Sequence, residues 1–203
     1  RFGAEKGYPI HQYLYAKELD KEGKKEEAFQ WHERAAKNGQ KDSWYYVGLA
    51  YEEGKLFPKN CSYAAQCYEK GLKPSGSIGC YNRLGVLYFK GDGVPQDYEK
   101  AVKLLTQAYE EENNWGVVYL AEAYFKGLGV RQDYIKAREL LDNITWNNEN
   151  ANYMKGVIYA QGLGVPADIK KGVEYLQKAG NHKQAKEELG KYKKTLFGKW
   201  VRR

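Results

Sequence analysis

The first candidates for a binding role are two glycine pairs, Gly91-Asp92-Gly93 and Gly127-Leu128-Gly129. Glycine-rich turns can hold phosphate groups with their backbone N–H groups, but such a loop follows a β-strand and opens a helix. Here the residues before each pair have helical periodicity, and a third pair recurs at Gly162-Leu163-Gly164. We therefore interpret the pairs as helix ends rather than as a phosphate site.

Other residue types that catalyse reactions or bind metals are scattered. His11, His32 and His182 lie far apart in the sequence, without the close spacing of metal-binding histidines. No Gly-x-Ser-x-Gly sequence marks a nucleophilic serine, and no two carboxylates stand out as an acid and a base. The sequence predicts no catalytic residue, no cofactor and no metal site, so an enzyme is the most distant functional alternative.

Two of the three cysteines could form a disulfide. Cys67 and Cys80 are symmetric about position 73.5, at the turn 73–77, so in an antiparallel helix pair they are level with each other. A disulfide needs both side chains to face inward, and it would indicate an oxidising compartment such as the periplasm. The alternative is two buried thiols, which are common in protein cores. Cys61 is unpaired in either case.

The composition indicates a protein without a membrane span and with a basic end. The chain has 203 residues, a net charge of +7 and a mean hydropathy of −0.80. No segment approaches the roughly 20 apolar residues of a transmembrane helix. Residues 183–203 contain eight Lys or Arg and two Glu, a net charge of +6. This tail could contact an acidic surface, although a solvated helix face is the simpler interpretation, and we expect no nucleic acid as a partner.

An internal repeat organises the chain. Gly91, Gly127 and Gly162 hold equivalent places in three segments, at spacings of 36 and 35 residues. Two earlier copies are weaker, because the second has lost the Gly-x-Gly-Val turn and the first is shorter. In every copy a small residue recurs on each helix, where two helices could approach closely. On the first helix these residues are Ala16, Gly48, Gly85, Ala121 and Gly156, and on the second they are Ala28, Ala65, Ala101, Ala137 and Gly172.

The repeat predicts pairs of helices. Gly91 and its equivalents should end a first helix in the left-handed conformation. Asp97, Asp133 and Asp168 should then accept hydrogen bonds from the free N–H groups that begin a second helix. We predict an all-α, right-handed αα-superhelical solenoid that forms one domain over residues 1–203. Its repeats span 8–38, 41–74, 77–111, 113–147 and 149–180, and a capping helix spans 182–200, where Ala185, Leu189, Tyr192 and Leu196 cover the last repeat.

The repeated residues carry a family resemblance. The pattern Leu-Gly-x-x-Tyr-x-x-Gly-x-Gly-Val-x-x-Asp-x-x-Lys-Ala resembles the Sel-one-like repeat (SLR), a relative of the tetratricopeptide repeat. The match is specific in the last three copies. The resemblance implies an αα-solenoid and a scaffold or adaptor role, but no particular partner. Cysteine-rich secreted members pair cysteines within one repeat, and here Ala108 occupies the position of the second cysteine.

The resemblance also implies where a partner would bind, since the first helices line the concave face of tetratricopeptide arrays. The middle of the predicted groove is apolar and aromatic, as interaction surfaces often are. Alternatively, Phe89 and Phe125 pack between neighbouring repeats. The predicted groove residues are Tyr13, Lys17, Asp20, Tyr45, Leu49, Glu52, Asn82, Val86, Phe89, Val118, Glu122, Phe125, Tyr153 and Val157.

These observations favour a non-enzymatic protein that binds another protein. The sharpest hypothesis, implied by the resemblance to small bacterial members of the family, is an immunity protein that neutralises a secreted toxin. The alternative is a signalling or assembly adaptor of the periplasm or cytosol. We expect a periplasmic or secreted location, with the cytoplasm as the alternative.

Overall fold

The helices begin and end at the residues that the repeat predicts. The first helices of the last four repeats end at Gly54, Gly91, Gly127 and Gly162, whose φ angles lie between 69° and 72°. A side chain is strained at such angles, so glycine suits each position. The carboxylates of Asp97, Asp133 and Asp168 accept hydrogen bonds of 2.9 Å from the backbone N–H three residues later. Both predictions about helix ends are confirmed.

The computed structural model describes residues 2–72, 77–195 and 198–203. Most of the predicted turn at 73–77, together with Leu196 and Phe197, lies outside the described residues. The chain divides into two compact units, Arg1–Asn113 and Asn114–Arg203, and each is described by itself. The prediction that residues 1–203 form a single domain stays a prediction.

The first unit contains seven helices among its described residues. The helices α2 and α3, α4 and α5, and α6 and α7 form three antiparallel pairs that correspond to the first three predicted repeats. In chain order the helices are α1 (Phe2–Glu5), α2 (Pro9–Lys21), α3 (Lys25–Lys37), α4 (Asp42–Glu53), α5 (Cys61–Gly71), α6 (Ile78–Lys90) and α7 (Tyr98–Glu110).

The second unit contains the remaining two repeats and a different C-terminal element. The helix α8 pairs with α9, and α10 pairs with α11. A 3₁₀ turn at Asn114–Gly116 precedes α8. The elements are α8 (Val117–Lys126), α9 (Tyr134–Asp142), α10 (Glu149–Gln161), α11 (Ile169–Lys178), α12 (Lys183–Leu189), β1 (Tyr192–Lys194) and β2 (Trp200–Arg202). The all-α repeat architecture predicted from the sequence is confirmed.

Small residues let the two helices of each pair approach closely. A Cβ atom added to Gly156 of α10 would lie 2.6 Å from the Leu176 side chain on α11. A Cβ atom added to Gly172 of α11 would lie 2.5 Å from the backbone nitrogen of Ala160 on α10. Contacts this short do not occur in proteins, so larger residues would push the helices apart.

The C-terminal segment departs from the predicted capping helix over 182–200. The helix α12 stops at Leu189, and an antiparallel hairpin follows in which Tyr192 pairs with Arg202 and Lys194 with Trp200. Gly190 directly follows the helix, and Gly198 adopts a φ of 77° in the turn of the hairpin. A helix that continued to residue 200 would contain both glycines, which disfavour a helix interior.

A buried carboxylate, Glu188, joins this hairpin to the last repeat. Its Oε1 accepts hydrogen bonds from Gln161 at 2.8 Å and from the Tyr192 hydroxyl at 3.3 Å, and its Oε2 pairs with the Lys191 ammonium group. Only 7% of Glu188 is exposed. Burial alone would raise the pKa of Glu188, but the hydrogen bonds from Lys191, Gln161 and Tyr192 together hold it below the usual value.

We expect Gly172→Ala to destabilise the protein by about 1–3 kcal/mol, because the added methyl group meets the Ala160 backbone. Alanine normally stabilises a helix relative to glycine by roughly 0.5–1 kcal/mol, so the sign of the change is informative. Urea unfolding followed by circular dichroism measures it. The matched control is Gln177→Ala on the exposed side of α11, which should change stability by less than about 0.5 kcal/mol. A stabilising Gly172→Ala would contradict the close approach.

We expect Glu188→Gln to cost about 1–3 kcal/mol at neutral pH, since Gln161, Lys191 and the buried Tyr192 hydroxyl lose a charged acceptor. A carboxylate with a lowered pKa in the folded state stabilises it above the unfolded pKa of about 4.3, and this contribution disappears as the pH falls further. The stability difference between the native protein and Glu188→Gln should therefore shrink below about pH 4. Urea titrations at neutral and acidic pH measure it, and a difference that does not change with pH would argue against the ion pair between Glu188 and Lys191.

Candidate functional site

Six residues of the predicted groove lie in the interior instead of on a surface. Asn82, Val86, Phe89, Val118, Phe125 and Val157 are all at most 8% exposed. The Phe89 ring packs edge-on against Tyr98, and the Phe125 ring packs against Tyr134 in the same way. Each tyrosine belongs to the second helix of the same repeat. These positions therefore hold helix pairs together, and for Phe125 the ring of Tyr153 in the next repeat adds a contact at 6.2 Å.

The other predicted groove residues are partly exposed. They are Tyr13, Lys17, Asp20, Tyr45, Leu49, Glu52, Glu122 and Tyr153. In the first unit Glu52 accepts a hydrogen bond from the Tyr68 hydroxyl and pairs with the Arg83 guanidinium at 3.3 Å. Arg83 also hydrogen-bonds Tyr45. This polar network joins Tyr45 and Glu52, on the first helix of the second repeat, to Arg83 on the first helix of the third repeat.

A cavity of about 360 Å³ lies beside this network in the first unit. Its apolar lining includes Phe29, Tyr46 and Leu49. The buried His32 also lines it, stacks on Tyr46 at 4.1 Å and lies 3.1 Å from an Asp20 carboxylate oxygen. Burial lowers the pKa of His32 despite this neighbouring carboxylate. The predicted residues Asp20 and Leu49 thus meet at a small apolar cavity.

The second unit carries an aromatic cleft that the sequence analysis missed. We name it the tryptophan cleft, and its lining consists of Trp115, Val118, Tyr119, Trp146, Asn148 and Asn150. Its volume is about 270 Å³. Trp115 is 47% exposed and Trp146 is 44% exposed, although indole is the largest apolar side chain. Of the predicted groove residues, only Val118 lines this cleft.

The ends of two first helices position the tryptophan cleft. Trp115 lies in the 3₁₀ turn before α8, and Trp146 lies in the connection before α10. Asn148 begins α10, because its side-chain oxygen accepts a hydrogen bond of 2.9 Å from the Ala151 N–H. Asn150 donates to the predicted residue Glu122 at 2.8 Å. One clue was present in the sequence, since both tryptophans immediately precede an apolar first helix, where a polar turn is expected.

Metal ligands do not gather in the part of the chain that the structure describes. Over residues 2–72, 77–195 and 198–203, no group of three His, Cys, Asp or Glu side chains could hold a metal ion. Over the same ranges, every helix is too short or too polar to cross a membrane.

Comparison with known proteins identifies the repeat. The Sel1 repeat model matches residues 13–40, 44–73, 79–113, 117–142 and 150–183, which together make up more than half of the chain. The chain belongs to the Sel1 repeat family. All five matches coincide with repeats predicted from the sequence. A search of curated proteins found no match.

Solved structures of Sel1 repeat proteins share this fold. A protective antigen of uropathogenic Escherichia coli with an SLR fold matches with a TM-score of 0.73 and 27% identity over 92% of this chain. The match spans only 41% of the E. coli chain, so that protein is much longer than this match. A Sel1 repeat protein of Oxalobacter formigenes matches with a TM-score of 0.68 and 22% identity, covering 90% of this chain and 78% of its own.

The three cysteines of this Sel1 repeat protein are buried, free thiols in the structure. Cys67 lies on α5 and Cys80 on α6, and both side chains are fully buried. Burial raises the pKa of Cys67 to about 11 and that of Cys80 to about 12. The disulfide between them stays a prediction.

We expect native Cys67 and Cys80 to react with iodoacetamide at least about 100-fold more slowly than in urea, because only the thiolate is nucleophilic. Mass spectrometry of a Cys61→Ser variant measures both rates without the third thiol. Fast alkylation of the native protein would contradict the burial of these thiols. Protein isolated without reductant that shows no reactive thiol in urea would instead reveal the disulfide.

Proposed function

We propose that this Sel1 repeat protein is a non-enzymatic module that binds a partner protein through the tryptophan cleft. Sel1 repeat proteins generally mediate protein–protein interaction. The observation that carries the proposal is the pair of half-exposed indoles, Trp115 and Trp146, that line one cleft. An exposed tryptophan keeps a large apolar area in contact with water, which is unfavourable. A partner that covers this area removes it from water and gains the free energy of burial.

The composition of the tryptophan cleft suits a protein contact. Tryptophan and tyrosine are enriched among the residues that contribute most to binding energy at protein interfaces. The cleft places Trp115, Tyr119 and Trp146 around the buried Val118, with the amides of Asn148 and Asn150 at its edge. An apolar side chain of a partner would enter between the indoles, while its backbone could hydrogen-bond to the asparagines. The cleft is too small for a folded element, so we expect a protruding side chain or a short extended segment.

Two more specific roles remain as proposals. An immunity protein would hold one toxin tightly, whereas an adaptor would hold several partners more weakly. The tryptophan cleft supports either role, since it offers a compact apolar anchor. The number and affinity of partners recovered from the native organism discriminate between the two roles. A periplasmic or secreted location, which the toxin hypothesis favours, is likewise a proposal that cell fractionation tests.

We expect the double variant Trp115→Ala/Trp146→Ala to bind the partner at least about tenfold more weakly, a loss of about 1.4 kcal/mol or more. Affinity capture from the native organism, followed by calorimetry with the purified partner, provides the measurement. The double variant Trp115→Phe/Trp146→Phe should retain part of the affinity, because an aromatic surface remains.

The matched control for this test is Ile10→Ala/Leu14→Ala. These two side chains on α2 are 48% and 49% exposed, so the control removes apolar surface of similar exposure elsewhere. The control should bind as the native protein does. A partner that is lost with the control but kept with the tryptophan variant would place the binding surface on α2 and refute the proposal.

A further inference from the structure

The largest described cavity of the second unit lies away from the tryptophan cleft. Its volume is about 1300 Å³, and it opens between the beginning of α11 and the C-terminal hairpin. We name it the basic cleft. The side chains that determine its chemistry are those of Arg138, Lys170, Lys171, Lys194, Lys199 and Trp200.

Several cations of the basic cleft have no counter-ion among the residues that the structure describes. Arg138 pairs with Asp142 at 3.2 Å, and the Lys171 ammonium group lies 3.7 Å from the centre of the Tyr159 ring. By contrast, Lys170, Lys194 and Lys199 form no ion pair within residues 2–72, 77–195 and 198–203. Charges of one sign that line a concave surface reinforce each other and attract an oppositely charged ligand.

The hairpin aims two of these residues into the same cavity. Lys194 of β1 lies directly opposite Trp200 of β2, so the two side chains share one face of the hairpin. The neighbouring Lys193 lies on the other face, because successive side chains of a strand alternate. The buried Tyr192, whose hydroxyl bonds to Glu188, anchors β1 on the last repeat. The strand pairing and the buried Tyr192 therefore fix where Lys194 and Trp200 lie in the basic cleft.

Two carboxylates indicate which anionic ligand fits. Asp168 and Glu174 line the same cavity as the five cations. Asp168 already accepts a hydrogen bond from the Lys171 backbone N–H, whereas Glu174 has no such partner within the described ranges. A carboxylate only accepts hydrogen bonds, and an acidic peptide carries backbone N–H groups that can donate to it. The phosphodiester group of a nucleic acid or lipid offers acceptors alone and cannot donate a hydrogen bond to Glu174.

We propose that the basic cleft binds an acidic, extended segment of a partner protein. Carboxylates of the segment pair with Lys170, Lys194 and Lys199, and an apolar side chain packs on Trp200. The proposal depends on the proposed function only in that the ligand is a protein, and it concerns a separate surface. Lys194 and Lys199, two of the residues that give 183–203 a net charge of +6, would then contact the acidic segment.

Fluorescence anisotropy with a labelled peptide of alternating Glu and Ser and one central Phe tests this proposal. We expect the full chain to bind the peptide at low salt, with an affinity that falls as salt is added. The double variant Lys194→Glu/Lys199→Glu should bind at least about tenfold more weakly, and the peptide with Gln in place of Glu should not bind.

The matched control is Lys183→Glu/Lys193→Glu, which changes the net charge equally and also alters β1. Lys183 and Lys193 are exposed and do not line the basic cleft. This control should lose less than about threefold in affinity. Circular dichroism, together with the milder Lys194→Gln/Lys199→Gln variant, separates lost binding from lost folding.

Two results would overturn the proposal. Equal losses in both charge-reversal variants would show unspecific attraction to the whole tail. Tighter binding of a single-stranded oligonucleotide, or of phosphatidylglycerol vesicles, with the same dependence on Lys194 and Lys199 would assign the cleft to phosphate. The Trp115→Ala/Trp146→Ala variant should bind the acidic peptide normally, so failure at one surface does not imply failure at the other.

Discussion

The close approach of two helices at a pair of small residues is the constraint on which the rest of this structure depends. Gly156 allows the Leu176 side chain to reach the α10 backbone, and Gly172 allows the Ala160 backbone to reach α11. Gly85 gives Leu105 the same access in the first unit, where its added Cβ would lie 2.8 Å from Leu105. Because the backbones are so close, large side chains near these points are buried within the repeat.

This packing explains why much of the predicted groove is buried. Phe89 and Phe125 contact the second helix of their own repeat, so the apolar side of each first helix is used for folding. Accessible aromatic surface remains where the repeat pattern is interrupted, in the connections that carry Trp115 and Trp146. Residues in connections tolerate change because they support less of the core, which suits them to recognition. The repeats hold the helices in place, and the connections leave the two indoles exposed.

The C-terminal hairpin covers the last repeat of the second unit and presents exposed lysines, whereas a further repeat would present an apolar helix face. Terminal repeats need a polar outer side, because their last helix has no neighbour to cover it. Glu188 and Tyr192 attach the hairpin to the last repeat, and its lysines point towards water or the basic cleft. The same residues therefore cap the array and form a charged surface. A sequence pattern for a helical cap, based on Ala185 and Tyr192, correctly predicted burial of both residues but not the strand that Tyr192 begins.

The sequence by itself determined the repeat length, the helix ends and the membership of the Sel1 repeat family. These features depend on local chemistry, because Gly91 and Asp97 act within one helical turn of their own positions. Only the tertiary structure decided which side chains remain exposed. The phase of each helix against its partner buried Val86 and Phe125, while Trp115 and Trp146 stayed accessible. Burial depends on contacts between residues distant in the chain, and helical periodicity alone does not specify them.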